Sequence, residues 1–179
     1  MRETNYLKEN EGVLNILKRI EKFQTFSDDD LHSFLELGKL LEYKPGEEIV
    51  KKGEVDHWAY FLISGRVKVV KEKKTLGILE KSGELFGEMG VIDGSPRTAS
   101  IWALDKTLVL GVDCSLLGKE KETPRQLAFH YTIFRLFAEV LADRLRVTTS
   151  ELTKVADELE KLKKKVSDGG DEKEETLWV

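Results

Sequence analysis

The sequence is poor in cysteine, proline and histidine, and it has no long apolar run. With a single cysteine the chain cannot form an internal disulfide or supply the thiolates of an iron–sulfur cluster. Cys114 follows an apolar run and is expected to be a small buried side chain. No stretch approaches the roughly 20 apolar residues that span a bilayer, and the first residues lack the apolar core of a signal peptide. These absences predict a cytoplasmic protein without a membrane segment.

An excess of basic charge is also missing. The chain has 29 lysines and arginines against 33 aspartates and glutamates, a net charge of −4. Binding to a nucleic acid backbone is driven by clustered lysine and arginine, so direct DNA binding is not expected. The length of 179 residues and the hydrophobic content of 40% suffice for one core, which predicts one domain with an extension.

Two amphipathic helices are predicted near the amino terminus. Apolar residues recur at helical spacing from Val13 to Ile20. Ser27, with Asp30 three residues later, is a capping-box signature for a second helix that ends near Gly38. We expect residues 1–38 to form helices that brace the domain after them.

From residue 39 to residue 123 the pattern changes to short apolar or alternating runs separated by glycine, which is typical of an antiparallel barrel or sandwich. The charged residues Glu72, Lys73 and Lys74 mark a solvated hairpin tip between two of these runs. The runs that predict strands are residues 58–63, 67–69, 75–79, 101–104 and 108–112.

A single long helix is predicted over residues 124–166, because Pro124 suits a first helical turn and no proline or glycine follows before residue 167. Apolar residues repeat every seven positions along it, as in the a and d positions of a coiled coil. The a positions are Leu145, Leu152, Leu159 and Val166, and the d positions are Leu141, Thr148, Val155 and Leu162. We therefore expect a homodimer through residues 124–166, followed by a disordered acidic tail at residues 167–179.

Residues 83–100 carry the most informative chemistry. Gly87 precedes a short helix start, where the amides of Glu88 and Met89 can meet an anion that no side chain blocks. After a turn, Arg97 adds a permanent cation whose planar fork can take two phosphate oxygens, and the Thr98 hydroxyl stands beside it. The Glu88 carboxylate only accepts hydrogen bonds, so it suits a ribose hydroxyl. The segment predicts a site for a sugar phosphate.

This segment resembles the phosphate-binding cassette of the cyclic nucleotide-binding domain family, whose pattern is F-G-E-[ML]-x-[LIV], a spacer, and R-x-A. Residues 86–91 and 97–99 match it, and the glycine-marked turns near Gly46, Gly53 and Gly65 fit the family's barrel. The likeness extends over roughly residues 23–166. It implies an α+β, mainly β fold: a small antiparallel jelly-roll barrel with N-terminal helices and a long C-terminal dimerisation helix.

The resemblance also implies roles for site residues. Glu88 would hold the ribose 2′-hydroxyl and Arg97 the cyclic phosphate. Residues 144–149 are similar to the central helix of catabolite activator protein-like regulators, where two hydroxyl residues contact adenine. The implied ligand-binding set is Phe86, Gly87, Glu88, Met89, Arg97, Thr98, Ala99, Thr148 and Thr149.

Thr148 and Thr98 point to different nucleotides. Thr148 is a polar residue at an otherwise apolar seam, where its hydroxyl can reach a purine or bond to its own helix. Together with Thr149 it favours cyclic AMP by resemblance. A threonine directly after the cassette arginine, as Thr98 is here, is frequent in cyclic GMP-binding relatives. We expect cyclic AMP to be preferred over cyclic GMP.

The expected function is a dimeric sensor that regulates a separate effector protein, because only a short acidic tail follows residue 166 where the regulators have a helix-turn-helix domain. The alternative is a ligand-free coiled-coil scaffold on a degenerate fold, with Glu88 and Arg97 paired to each other. A metal-binding cupin enzyme is disfavoured because His32, His57 and His130 stand far apart. No acid–base or nucleophile group stands out, so neither catalysis nor a cofactor is expected.

Overall fold

The computed structural model describes residues 2–4, 11–24, 26–115 and 123–170. The chain divides into two compact units, Met1–Leu136 and Phe137–Val179. In the described residues the helices are α1 (Glu11–Arg19), α2 (Asp28–Glu36), α3 (Glu88–Asp93) and α4 (Pro124–Gly170), with a 3-10 turn at Glu21–Phe23. The strands are β1 (Arg2–Thr4), β2 (Gly38–Tyr43), β3 (Glu48–Val50), β4 (Trp58–Ser64), β5 (Val67–Lys71), β6 (Lys74–Leu79), β7 (Leu85–Phe86), β8 (Ser100–Ala103) and β9 (Thr107–Asp113).

The strands form two antiparallel sheets. One has the order β1-β2-β9-β4-β7 and the other β3-β8-β5-β6. The predicted antiparallel jelly-roll fold is confirmed, but the hydrogen bonds join the strands into two separate sheets rather than a closed barrel. Strand β1 corrects the expectation of helices throughout residues 1–38, since it pairs with β2 in the register Arg2 with Glu42. Three residues are too few to show a strand period in the sequence.

The hydrophobic core of the first unit lies between the two sheets. Because successive side chains of a strand point to opposite faces, β4 contributes Tyr60 and Leu62 to this core and Phe61 to the other face. Across the core from β4, the smaller sheet contributes Val50, Val67 and Ile101, among others. Strand β7 pairs with β4 at Tyr60 and Phe61 and leads directly into the segment with the predicted phosphate site.

The N-terminal helices brace the sheet as predicted. Ser27 caps α2 by a capping box, with the Asp30 amide donating to its hydroxyl over 3.2 Å. Phe34 of α2 lies edge-on against Phe61 of β4, with ring centroids 5.6 Å apart, and against Phe23, at 5.2 Å. Phe129 of α4 joins the same cluster at 5.0 Å from Phe34. These rings connect three helical segments to the outer face of β4.

The hairpin between β5 and β6 turns over Glu72 and Lys73, at the predicted tip. Both have positive φ, 50° and 65°, which is the geometry of a two-residue type I′ turn. Asn-Gly adopts that geometry with less strain than Glu-Lys, because a side chain with Cβ is disfavoured in the left-handed region.

We expect the double substitution Glu72→Asn, Lys73→Gly to raise the free energy of unfolding by about 1 kcal/mol, measured by urea denaturation. The substitution also removes the ion pair of Glu72 with Lys52, at 3.6 Å, but an exposed ion pair contributes little to the free energy of unfolding. Lys74→Gly is the control, because it places glycine on an extended position of β6 and should lower stability. Equal effects of the two variants would contradict the turn assignment.

Helix α4 begins at Pro124 as predicted and is capped by Thr123 and Gln126, whose amides and side chains bond reciprocally at 2.9 and 3.3 Å. It continues to Gly170, four residues beyond the predicted end at Val166, so the first residues of the expected disordered tail are helical. Residues 171–179 lie outside the described part of the chain. No helix in that part is long and apolar enough to cross a membrane.

The second unit, taken by itself, is the remainder of α4. Its heptad seam is exposed in the single chain: the a and d side chains from residue 145 onward are each more than half exposed where they are apolar. The residues concerned are Leu145, Leu152, Val155, Leu159, Leu162 and Val166.

Candidate functional site

The predicted phosphate segment is built on a glycine at a special backbone angle. Gly87 has φ of 83° and is the N-cap of α3. A Cβ at this position would stand 2.8 Å from Arg97 Nη1 and 3.1 Å from the Trp58 carbonyl oxygen. Glycine is therefore required both by the left-handed angle and by the close approach of the arginine. β7 reaches this point because it pairs with β4.

A tight turn after α3 returns the chain to the same place. Gly94 has φ of 68° and closes the helix, its amide donating to the Gly90 carbonyl. The Ser95 amide then donates to Asp93 over 2.9 Å, which lowers the pKa of that carboxyl. The turn delivers Arg97 to the start of α3, as the sequence predicted.

Arg97 is buried, with 4% of its surface exposed, and its guanidinium faces inward. Its Nε donates to Asp56 Oδ2 over 3.0 Å, and its Nη2 donates to Asp56 Oδ1 and, over 2.5 Å, to the Trp58 carbonyl. Its Nη1 donates to the Gly87 carbonyl. A guanidinium has five N–H donors; described residues accept from four of them, and the fifth, on Nη1, has no acceptor among those residues.

This geometry revises the expected role of the arginine fork. The Nε–Nη2 edge, which would take two phosphate oxygens, is held by Asp56. The end that approaches Gly87 and Gly90 is Nη1, so a ligand at the start of α3 meets one N–H of Arg97. Sequence reasoning missed Asp56, because its pairing spans 41 residues. The local signal is only that of an Asx turn, with Asp56 accepting from the Trp58 amide over 2.8 Å.

The backbone around Arg97 is tied to the loop that carries Asp56. The Arg97 amide donates to the Glu54 carbonyl over 2.8 Å, and the Gly53 amide donates to the Arg97 carbonyl over 2.9 Å. The loop at residues 53–58 and the cassette turn therefore form one hydrogen-bonded structure.

The other predicted cassette residues lie in the same region. Glu88, in the first turn of α3, is 1% exposed, an unusual burial for a carboxylate. Phe86 stacks on Tyr60, with centroids 5.3 Å apart and the rings 13° from parallel. Met89 is 48% exposed. Thr98 is also exposed and Ala99 is half-buried.

Thr148 and Thr149 belong to the second unit, and both are exposed on α4. The Thr149 carbonyl accepts a hydrogen bond from the Thr153 hydroxyl over 3.0 Å. Whether they join the cassette in one site stays a prediction.

The next question is whether the described residues could bind a metal ion or supply a reactive thiol. They contain no group of three histidine, cysteine, aspartate or glutamate side chains that could hold a metal ion. Cys114 is buried as predicted, and burial raises the pKa of its thiol to about 12. A thiol with so high a pKa is a poor nucleophile at neutral pH.

Comparison with known proteins agrees with this geometry. The family model described as Cyclic nucleotide-binding domain matches residues 40–117. Residues 40–117 are a cyclic nucleotide-binding domain. The match begins within β2, contains β3 to β9, and includes every predicted site residue of the cassette, from Phe86 to Ala99.

Two curated relatives share this domain. The chain is 32% identical over 97 residues to a cAMP-dependent protein kinase regulatory subunit of Debaryomyces hansenii, an alignment that covers 53% of this chain and 21% of the relative. It is 35% identical over 77 residues to a cGMP-dependent protein kinase of Eimeria tenella, covering 43% of this chain and 8% of the relative. The chain thus spans about a fifth or less of the length of these relatives.

A solved structure extends the likeness beyond the domain. The catabolite activator protein of Thermus thermophilus has a TM-score of 0.60 and 26% identity, over 75% of this chain and 62% of that protein. The cyclic nucleotide-binding domain is therefore related both to kinase regulatory subunits and to a catabolite activator protein.

Proposed function

We propose that the chain is a cyclic nucleotide sensor of the cytoplasm that binds cyclic AMP in preference to cyclic GMP. The observation that carries the proposal is the buried Arg97, brought by the cassette turn to the glycine-marked start of α3 in a domain of this family. A buried guanidinium with an N–H to spare beside the first amides of a helix can hold a phosphate.

In the proposed complex the amides of Gly87, Glu88 and Met89, the Nη1 of Arg97 and the Thr98 hydroxyl hold the cyclic phosphate. The Glu88 carboxylate accepts from the ribose 2′-hydroxyl, which its burial favours because a hydrogen bond strengthens where water is excluded. Phe86 and Ala99 shape the apolar wall of the site.

For the base, Thr148 and Thr149 remain the proposed contacts, and they favour cyclic AMP. The relatives include both a cAMP-dependent regulatory subunit and a cGMP-dependent kinase, so the domain is compatible with either nucleotide. Thr98, exposed at the site, is the residue whose hydroxyl would favour guanine.

The test is to denature the purified 179-residue chain and identify any released nucleotide by mass spectrometry. A thermal-shift screen with cyclic AMP, cyclic GMP and cyclic dinucleotides follows, because a ligand that binds only the folded state raises the melting temperature. A shift with cyclic AMP that exceeds the shift with cyclic GMP supports the proposal. No shift with any cyclic nucleotide would reject it.

We also propose that the chain forms a parallel homodimer through the α4 seam and regulates an effector protein by a population shift of the paired helices. Glu158 at g would face Lys163 at e of a second copy in a parallel pair. In an antiparallel pair that overlaps the whole seam, Arg144 would face Lys165 and Glu151 would face Glu158. Like charges at these positions oppose the antiparallel arrangement.

The double substitution Leu152→Lys, Leu159→Lys should raise the dimer dissociation constant about 100-fold or more, since it places charges in an apolar seam. Sedimentation equilibrium measures the effect. The control is Thr153→Lys with Glu160→Lys, which adds lysine at neighbouring positions outside the seam, both exposed in the single chain. If the seam variant stays dimeric, α4 is not the dimer interface.

A second candidate function is a ligand-free scaffold on the same fold. The observation in its favour is that Arg97 already has a carboxylate partner, although this partner is Asp56 and not Glu88, which the ligand-free alternative named. The scaffold predicts a dimer that binds no cyclic nucleotide, so the thermal-shift screen separates the two functions.

A further inference from the structure

We propose that Asp56 is an internal counter-anion of Arg97 that lowers the affinity of the site for anionic ligands. The inference rests on the proposed function, because it concerns the same phosphate site. It assigns an affinity-setting role to a residue outside the cassette, in the loop between β3 and β4.

The charge balance of the site is the first step. Asp56 takes the Nε–Nη2 edge of Arg97 with both carboxylate oxygens, and the arginine side chain is 3% exposed. The ion pair therefore has no net charge where a phosphate would bind. Glu88, 1% exposed, adds a second acidic group on the same turn. Without ligand, the site presents a neutralised cation to an anion.

The orientation of the Arg97 guanidinium does not depend on Asp56 alone, because two main-chain carbonyls also accept from it. The Gly87 carbonyl accepts from Nη1 and the Trp58 carbonyl accepts from Nη2. The Arg97 backbone is pinned separately by Glu54 and Gly53. Removing the Asp56 charge therefore leaves two main-chain acceptors that keep Nη1 directed to the start of α3.

The third step is the sign of the effect. Asp56 stays in place when a ligand arrives at Nη1, because its Oδ1 also accepts from the Trp58 amide. Its negative charge then repels the phosphate across the guanidinium. Without the Asp56 carboxylate, the buried Arg97 guanidinium of the ligand-free state has lost its paired anion, and the phosphate replaces that anion on binding. Both effects increase the affinity for an anion and leave the affinity for a neutral ligand unchanged.

The experiment compares the dissociation constants of two probes by calorimetry, cyclic AMP and its neutral methyl phosphotriester. The Asp56→Asn variant should bind cyclic AMP about tenfold more tightly than the unaltered chain does. The two proteins should bind the neutral ester with equal affinity. Glu54→Gln is the matched control, since it removes one charge from the same loop and should change neither constant. The Glu54 side chain is exposed and forms an ion pair with Lys51 at 3.6 Å.

If Asp56→Asn does not fold, Asp56→Ser replaces it, because serine can still cap the Trp58 amide. Unchanged or weaker binding of cyclic AMP by the folded variant overturns the inference while the proposed function stands. Failure of the unaltered chain to bind cyclic AMP overturns both.

Discussion

Arg97→Leu should weaken cyclic AMP binding at least tenfold. A charge-assisted contact to a phosphate contributes about 1.5 to 3 kcal/mol, and a factor of ten corresponds to about 1.4 kcal/mol. The substitution removes the remaining Nη1 donor at the start of α3 and also leaves the Asp56 carboxylate without its cation. Both changes disfavour an anion at this position, and calorimetric titration measures the loss.

Arg66→Leu is the control for this variant. Arg66 lies in the same unit and pairs with Asp105 through its Nε at 2.8 Å, but the side chain is exposed and distant in sequence from the cassette. It should bind cyclic AMP as the unaltered chain does. Equal affinity in the Arg97 and Arg66 variants would remove Arg97 from the site.

Phe34→Ala should lower the free energy of unfolding by about 3 to 5 kcal/mol, because it removes a fully buried ring and leaves a cavity. The ring contacts four other phenylalanines, so the substitution removes packing contacts from every element that contributes a ring to the cluster. These partners are Phe23, Phe26, Phe61 and Phe129. Urea denaturation of the ligand-free protein measures the effect.

Phe34→Leu should cost less, since it retains most of the buried surface. Leu76→Ala, on the exposed strand β6, should change stability by no more than about 0.5 kcal/mol. A loss below about 1 kcal/mol for Phe34→Ala would mean that the aromatic cluster does not hold the helices to the sheet.

Local chemistry explains which parts of the fold the sequence predicted. The capping box at Ser27, the proline that opens α4 and the hairpin tip at Glu72 each depend on residues a few positions apart, and all were confirmed. The strands of two or three residues, β1, β3 and β7, were not predicted individually, because so short a segment shows no alternation. The end of α4 was placed four residues early, since the polar residues after Val166 are compatible with either helix or coil.

The candidate site shows the same division. The glycine at the start of α3 and the turn that returns Arg97 to it were predicted from residues 83–100, because the turn is local. The partner of the arginine was not. A pairing between Asp56 and Arg97 depends on how β4 and the cassette meet in space, and no sequence period encodes that. Only the ligand-free alternative paired Arg97 with a carboxylate, and it named Glu88, whereas the structure places Asp56 on the guanidinium.

The most direct test of the account is calorimetric titration of the unaltered 179-residue chain with cyclic AMP. We expect saturable binding at one site per chain, tighter than for cyclic GMP and lost with 5′-AMP, whose open phosphate does not match the cassette. The contrary result would be no binding heat at millimolar cyclic AMP. The sample must first be shown, after denaturation, to carry no nucleotide.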